Sequence, residues 1–392
     1  MIPREATAAL LKAAQGYPVI AITGPRQAGK TTLSRLVFPD KTYVSLEDPD
    51  QLSFALSDPR RFLQGLSEGA ILDEIQRAPA LFSYIQRIVD ERREPGFFVL
   101  TGSQHFDLLA QISQTLAGRV ALLELLPFSW NELQSAGVRI SSLDHLLFQG
   151  QYPPLYDRQL DPRDWYGDYL RTYVERDVRQ ITAVQNLNVF QTFVRLCAGR
   201  VGQILDVAGL ASDTGIAPNT ANAWLSVLEA SYIVYRLTPH HRNFSKRLIK
   251  RPKLYFYDTG LAARLLGIRS PDELRLHALR GHLFECWVVS ELYKWNAHYR
   301  QQLPIHFWRD HKGREVDVLI EKGDKIIAVE IKAGATINAA FFRGLEYYQH
   351  LAQDTLEGSY LVYGGEQQQT RATGVVLPWQ HLGTLLNSLA EH

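Results

Sequence analysis

The sequence predicts an α/β protein in three parts: a parallel sheet flanked by helices over residues 1–150, a helical module over 151–275, and a mixed α/β domain over 276–392. Three observations predict it. The 392 residues exceed the ~250–300 that one hydrophobic core usually spans. Hydrophobic residues make up 46% of the chain, enough apolar surface to offset chain entropy and exclude a disordered polymer. Short apolar runs alternate with helical stretches in the first part, which is the pattern of a parallel sheet with crossover helices.

The elements follow in order. Residues 5–15 read as an amphipathic helix, and YPVIAIT (17–23) as a buried strand. TYVSL (42–46), GAILDE (69–74) and GFFVLTGS (96–103) are further strands, with ALFSYIQRIVDERRE (80–94) a helix between the last two. This sheet is expected to end near residue 135. The Pro- and Gly-containing stretch 136–160 marks a boundary. Residues 163–275 are mostly helical, and two β-like runs, YIVYRL (232–237) and KLYFYD (253–258), follow a helix–turn–helix pair. That order resembles a winged helix-turn-helix. A helix opens the last part, before strand-like runs at 305–310, 315–320, 325–333, 359–364 and 374–378; a second helix near 338–351 interrupts them.

Composition excludes several classes. Lys and Arg number 42 against 41 Asp and Glu, a net charge of +1, so any nucleic-acid surface has to be a local patch. Cys197 and Cys286 are too few for a disulfide framework or a cysteine zinc cluster. Arg4, Glu5 and Lys12 break up any leader-like apolar stretch, and no run approaches the ~18 apolar residues of a membrane helix. A soluble, cytoplasmic protein is expected.

The chemistry is concentrated in short motifs. Gly24-Pro25-Arg26-Gln27-Ala28-Gly29-Lys30-Thr31, followed by Thr32, matches G-x-x-x-x-G-K-[ST] between a strand and a helix. Glycines let the backbone wrap a phosphate with N–H groups inward, and the helix N-terminus adds favourable dipole charge. Lys30 is expected on the β- and γ-phosphates of ATP and the Thr31 hydroxyl on Mg²⁺. Asp73 ends an apolar strand where a second Mg²⁺ ligand belongs, and Glu74 is the candidate base for the attacking water. Ser103 is the candidate contact to the γ-phosphate or that water, and Arg119 the candidate for transition-state charge, in cis or in trans.

GPRQAGKTTL, YVSLEDPD, ILDEIQRAP, FFVLTGSQ, LAGRV and LLPFSWNEL in succession resemble the AAA-superfamily P-loop ATPases of bacteria and archaea. The similar subgroup continues into a C-terminal restriction-endonuclease-like domain of unknown function. The resemblance spans nearly the whole chain and implies ATP binding and hydrolysis, without a substrate.

Between Glu229 and Asp258 there is no acidic residue, while Arg236, Arg242, Lys246, Arg247, Lys250, Arg251 and Lys253 fall there. Arg242, Lys246, Arg247, Lys250 and Arg251 are the candidate contacts to DNA or RNA phosphates. The helix over 217–230 is expected to present Asn219, Thr220, Asn222 and Trp224. His240 and His241 are expected to be solvated in the same loop.

In the last part Asp317 precedes Glu330 by thirteen residues, and Glu330 and Lys332 lie i, i+2 on one strand face. Two carboxylates and a lysine at a sheet end suit a Mg²⁺ site, with Lys332 stabilising charge and Glu285 adding a carboxylate. Glu285, Asp317, Glu330 and Lys332 resemble the PD-(D/E)XK nuclease core, with Val316 in place of its usual proline. Two functions stand at this point. One is a Mg²⁺-dependent ATPase that couples nucleotide state to a winged helix and a nuclease-like domain acting on nucleic acid, with oligomeric assembly open. The other is a nucleotide-gated switch or scaffold whose nuclease-like domain binds a protein partner and cuts nothing.

Overall fold

A computed structural model describes residues 1–102, 112, 114–174, 186–240 and 249–390. Five parallel strands form the first sheet: β1 (Val19–Thr23), β2 (Thr42–Ser45), β3 (Ala70–Asp73), β4 (Phe98–Thr101) and β5 (Val120–Glu124). Their order is β2-β3-β4-β1-β5, so β1 lies inside the sheet between β4 and β5 and carries no exposed residue. Its side chains alternate between the two faces. Val19 and Ala21 meet the helices Pro59–Gln64 and Leu81–Arg92, whereas Ile20 and Ile22 meet the helix Ala6–Gly16. The last strand, β5, falls where the sequence reading placed no strand.

The helices Leu187–Ala198, Val207–Thr214 and Pro218–Ala230 come next, with a small antiparallel sheet of β6 (Gln203–Ile204), β8 (Lys253–Phe256) and β7 (Val234–Leu237). The C-terminal sheet is mixed. It comprises β9 (Ile305–Arg309), β10 (Glu315–Lys322), β11 (Lys325–Lys332), β12 (Leu356–Tyr363), β13 (Gln369–Arg371) and β14 (Gly374–Pro378), in the order β13-β14-β12-β11-β10-β9. Antiparallel pairing joins β9–β10–β11, and parallel pairing joins β11–β12–β14. Among the described residues no helix is long and apolar enough to cross a membrane.

The helix Arg280–His298 connects these parts. It packs against β5, β8 and β11, and buried residues occur on all its faces. Burial all round marks a helix inside a protein rather than on its surface. One hydrophobic core accordingly runs from Phe128 to Leu389, taking in the helix Leu143–Gln149, the three-helix module and the inner face of the C-terminal sheet. Three buried polar side chains, Lys294, Glu291 and Gln151, hold its centre. Lys294 Nζ donates to Glu291 Oε1 (2.8 Å), Gln151 Oε1 (2.8 Å) and the Phe128 carbonyl (3.0 Å). The Trp130 backbone N–H donates to Glu291 Oε2 (2.7 Å), and Trp287 Nε1 to Gln151 Oε1 (3.1 Å).

Trp224 is a correction to the expected exposed helix face. It is buried, with its ring edge-on to Phe190 at 5.2 Å and Phe193 at 5.3 Å. Asn219 and Asn222 do lie exposed. His240, expected in solvent, is buried with Nε2 3.0 Å from Glu321 Oε1. His241 lies outside the described residues.

Candidate nucleotide site and a buried carboxylate cluster

The loop after β1 needs its glycines. Gly24 has φ +138° and its missing Cβ would stand 2.1 Å from the Leu125 carbonyl oxygen, so no side chain fits where the loop crosses the end of β5. Gly29 is left-handed at φ +91° and starts the helix Lys30–Val37. Lys30 is nearly buried, and its Nζ donates to the Gly24 (2.9 Å) and Pro25 (2.8 Å) carbonyls. Arg4 braces the loop from outside, donating to the Ala28 carbonyl (2.7 Å), the Leu126 carbonyl (2.6 Å) and Glu132 (3.0 Å).

Asp73 ends β3 beside the loop. Its carboxylate accepts from Thr31 Oγ1 (2.9 Å), from the Tyr43 hydroxyl (2.8 Å) and from Thr101 Oγ1. Burial, with the Asp73 hydrogen bond, pushes the Tyr43 phenol up to about 12, so it stays a donor at neutral pH. Thr31 and Asp73 together offer one hydroxyl and one carboxylate within hydrogen-bond distance, an oxygen set that suits Mg²⁺. Glu74 is left-handed at φ +54°, and its carboxylate accepts from Gln76 Nε2 at 2.5 Å. A cavity of about 330 Å³ opens here. Arg26, Gln27, Gly29, Lys30, Thr31 and Thr32 line its loop side, Asp73 and Glu74 its sheet side, and Ile2, Phe128, Pro153 and Pro154 an apolar wall.

Of the remaining sequence expectations, one falls outside the described residues and one needs adjustment. Ser103 lies outside the described residues. Thr101, which sequence reasoning passed over, is the buried hydroxyl on Asp73; as the last residue of β4 it points inward by strand alternation. Arg119 is corrected as a member of the site in its own chain. It immediately precedes β5, its carbonyl accepts from the N–H of Val19 at the start of β1, and its guanidinium grips Asp90 (2.9 Å). That is the sheet edge opposite the loop. Arg158, from the stretch read as a boundary, also lines the cavity. Its guanidinium makes no hydrogen bond or ion pair among the described residues.

The C-terminal residues converge on a second place. The register that sets Val318 opposite Val329 brings Asp317 next to Glu330. Lys332 Nζ lies 2.6 Å from Glu330 Oε1 and 3.4 Å from Asp317 Oδ2, which also accepts the Ile331 N–H (2.7 Å). Glu285, from the helix Arg280–His298, joins Asp317 and Glu315 in a group whose carboxylate oxygens lie within 4.8 Å of one another. Glu315 was missed, although its i, i−2 position to Asp317 on one strand signals the same face. Burial pushes Glu285 up to about 7; burial and the Asp317 charge push Glu330 up to about 8.

Lys253 of β8 was missed as well. Nearly buried, it lies 2.7 Å from Glu285 Oε1 and pairs with Glu315. Burial opposes its charge, and the attraction of Glu285, Glu315 and Asp317 outweighs that opposition, holding it above the ordinary lysine range. The basic stretch is thereby thinned. Lys253 is internal, and Arg236 is paired through both of its contacts to Glu229 (2.6 and 2.5 Å). Lys250 and Arg251 are exposed, Arg251 3.6 Å from Asp206. Arg242, Lys246 and Arg247 lie outside the described residues.

Residues 16–134 match a family described as AAA domain. Residues 140–272 and 280–382 match two domains of unknown function, DUF8612 and DUF4143. The uncharacterized proteins Rv2008c of Mycobacterium tuberculosis and Mb2031c of Mycobacterium bovis are each 35% identical over 338 residues, 85% of this chain and 74% of theirs. Among solved structures, a Walker-type ATPase of Pyrococcus abyssi is similar with a TM-score of 0.47 and 14% identity, over 68% of this chain and 96% of that one. The RuvB Holliday junction branch migration motor of Thermotoga maritima is similar with a TM-score of 0.31 and 16% identity, over 60% and 90%.

Proposed function

The chain belongs to the family of the mycobacterial proteins Rv2008c and Mb2031c, with an AAA-type P-loop unit in its N-terminal part, and from that premise we propose that it is a Mg²⁺-dependent ATP hydrolase whose nucleotide state is relayed to a winged-helix module and a restriction-endonuclease-like domain. The observation that carries the reading is the pairing of Thr31 with Asp73 at the mouth of a loop that holds Lys30 nearly buried.

The residues divide the work as follows. The loop N–H groups and Lys30 bind the phosphate chain, and Ile2, Phe128, Pro153 and Pro154 take the apolar base. Thr31 and Asp73 would hold Mg²⁺, which neutralises phosphate charge when bound. Glu74 orients the attacking water and accepts its proton. Arg158, on the cavity wall and without an ion-pair partner among the described residues, supplies a further positive charge toward the phosphates.

The Glu74→Gln variant is expected to bind ATP as the wild type does and to turn it over on the order of 10²-fold more slowly, because shape is kept and the base is lost. Steady-state phosphate release in Mg²⁺, beside calorimetric ATP binding, tests this; wild-type turnover in the variant removes Glu74 from the mechanism. The relay is supported by Tyr232, at the entry to β7, whose hydroxyl donates to Thr23 Oγ1 (3.2 Å) one residue before the phosphate loop.

Contact with nucleic acid rests on the basic stretch, of which Lys250 and Arg251 stand exposed. Neutralising Arg242, Lys246, Arg247, Lys250 and Arg251 together is expected to weaken duplex binding and lower its log–log salt slope by about 0.9 per lost phosphate contact. ATP binding should be unchanged. Equal affinity and slope in the variant, measured by fluorescence anisotropy across salt, would end the nucleic-acid reading. The second reading, a nucleotide-gated scaffold that cuts nothing, is favoured by Lys253 standing among the carboxylates of the nuclease-like domain.

A further inference from the structure

The carboxylate group of the C-terminal domain is built from two elements, the helix Arg280–His298 and β10, and its positive partner comes from a third. Lys253 stands on β8, which pairs with β6 and β7 outside the C-terminal sheet. Its Nζ reaches Glu285 Oε1 at 2.7 Å and also pairs with Glu315. Tyr255, two residues on and therefore on the same strand face, donates to Glu285 Oε1 at 2.5 Å. Nζ also lies 5.5 Å from the centre of the Phe307 ring, which closes the pocket on that side. Two of the three grouped carboxylates are thus occupied by one ammonium. The third, Asp317, spends Oδ2 on the Ile331 N–H and Lys332.

Glu285, Glu315, Asp317 and Glu330 face Lys253 and Lys332 from inside the cluster, Arg309 reaches Glu315 Oε2 from its rim (3.1 Å), and Glu330 Oε2 is buried with no hydrogen-bond partner among the described residues. Three carboxylates with oxygens within 4.8 Å of one another call for a cation between them, and one is already present in covalent form. A divalent ion on the same oxygens would lie a few ångströms from the ammonium in a medium of low polarity, where like charges repel strongly. As arranged, the residues do not fit a metal ion together with Lys253.

We propose that Lys253 is the resident cation of this cluster, and that it excludes a divalent metal for as long as β8 is seated. The inference deepens the nuclease-like reading of the C-terminal domain and rests on that cluster being a cation site; it is independent of the ATPase reading. It makes the neighbouring module, through one side chain, the element that decides whether the cluster is charged with metal.

Mn²⁺ binding to the full chain without nucleotide, counted by electron paramagnetic resonance, tests it. Four proteins are compared: wild type, Asp317→Asn, Lys253→Met and Lys253→Met/Asp317→Asn. Wild type and Asp317→Asn are expected to bind equal numbers of Mn²⁺. The Lys253→Met protein should bind one more, lost again in the double variant, and saturating Mn²⁺ should raise its Tm by about 5 °C or more while leaving that of the wild type unmoved. If Lys253→Met does not fold in plain buffer, refolding in Mn²⁺ replaces the count; folded protein recovered only with Mn²⁺ supports the proposal, and none in either buffer overturns it. An Asp317-dependent Mn²⁺ in the wild type overturns the exclusion while keeping the cation site. A folded Lys253→Met that gains no Mn²⁺ overturns both. ATP turnover is scored separately, so the ATPase reading stands or falls by itself.

Discussion

Replacement of Lys30 by alanine is expected to lower ATP affinity by about 10²–10⁴-fold and to abolish measurable turnover. The ammonium is nearly buried and rests on two carbonyls of its own loop, Gly24 and Pro25, at 2.9 and 2.8 Å. When phosphate enters, the same short movement exchanges neutral acceptors for charged ones. Hydrogen bonds to charged groups contribute about 1.5–3 kcal/mol each, so losing two removes roughly 3–6 kcal/mol, which sets the range above. Lys30→Arg should not restore binding, because a planar fork does not reproduce a compact charge in a closed loop. Titration calorimetry on variants with a wild-type circular dichroism spectrum is the measurement. An unchanged Kd in folded Lys30→Ala would refute the assignment of the loop.

The second large effect concerns stability. Glu291→Ala is expected to cost about 3–5 kcal/mol, the range seen when one partner of a buried pair is removed. Glu291 and Lys294 are fully buried. Without Glu291 the Lys294 ammonium keeps only Gln151 and the Phe128 carbonyl, and the Trp130 N–H loses its acceptor. Replacing both charges, as Glu291→Met with Lys294→Met, should recover part of that loss, since no buried charge then remains unpaired. Urea unfolding followed by tryptophan fluorescence reads both variants. A loss below about 1 kcal/mol in Glu291→Ala would show that the pair is not load-carrying in the core.

Much of this was readable in the sequence, and the failures have physical causes. The inner strands β1, β3 and β4 are short apolar runs buried on both faces, a signal hard to miss. The edge strand β5, Val-Ala-Leu-Leu-Glu, leaves Leu122 exposed and is rich in good helix formers, so its local preference runs against its place in the sheet. Missing β5 misplaced Arg119. A residue just before a parallel strand lies at the amino-terminal edge, whereas phosphate sites lie at the carboxyl edge. Asp73, Glu74, Asp317, Glu330 and Lys332 stand out as candidates because two spacings, loop to strand end and i to i+2, are written locally. Lys253 was counted with the surface charges because nothing near it in sequence announces the carboxylates it meets. Those are 32 residues downstream at Glu285 and further still at Glu315.

The contact between Trp130 and Glu291 has a consequence for synthesis of the chain. The two residues are 161 positions apart. At roughly 5–20 residues per second, a ribosome takes about 8–30 s to travel from one to the other. During that interval the parallel sheet has already emerged, while the stretch from Phe128 to Gln151 has no helix Arg280–His298 to close over it. The nascent chain therefore carries an open apolar seam next to a finished phosphate loop, and the last turns of Arg280–His298 are what seal it. A chain released early, or cut between residues 151 and 280, would keep that seam exposed, and with it the tendency to aggregate that such apolar surface carries.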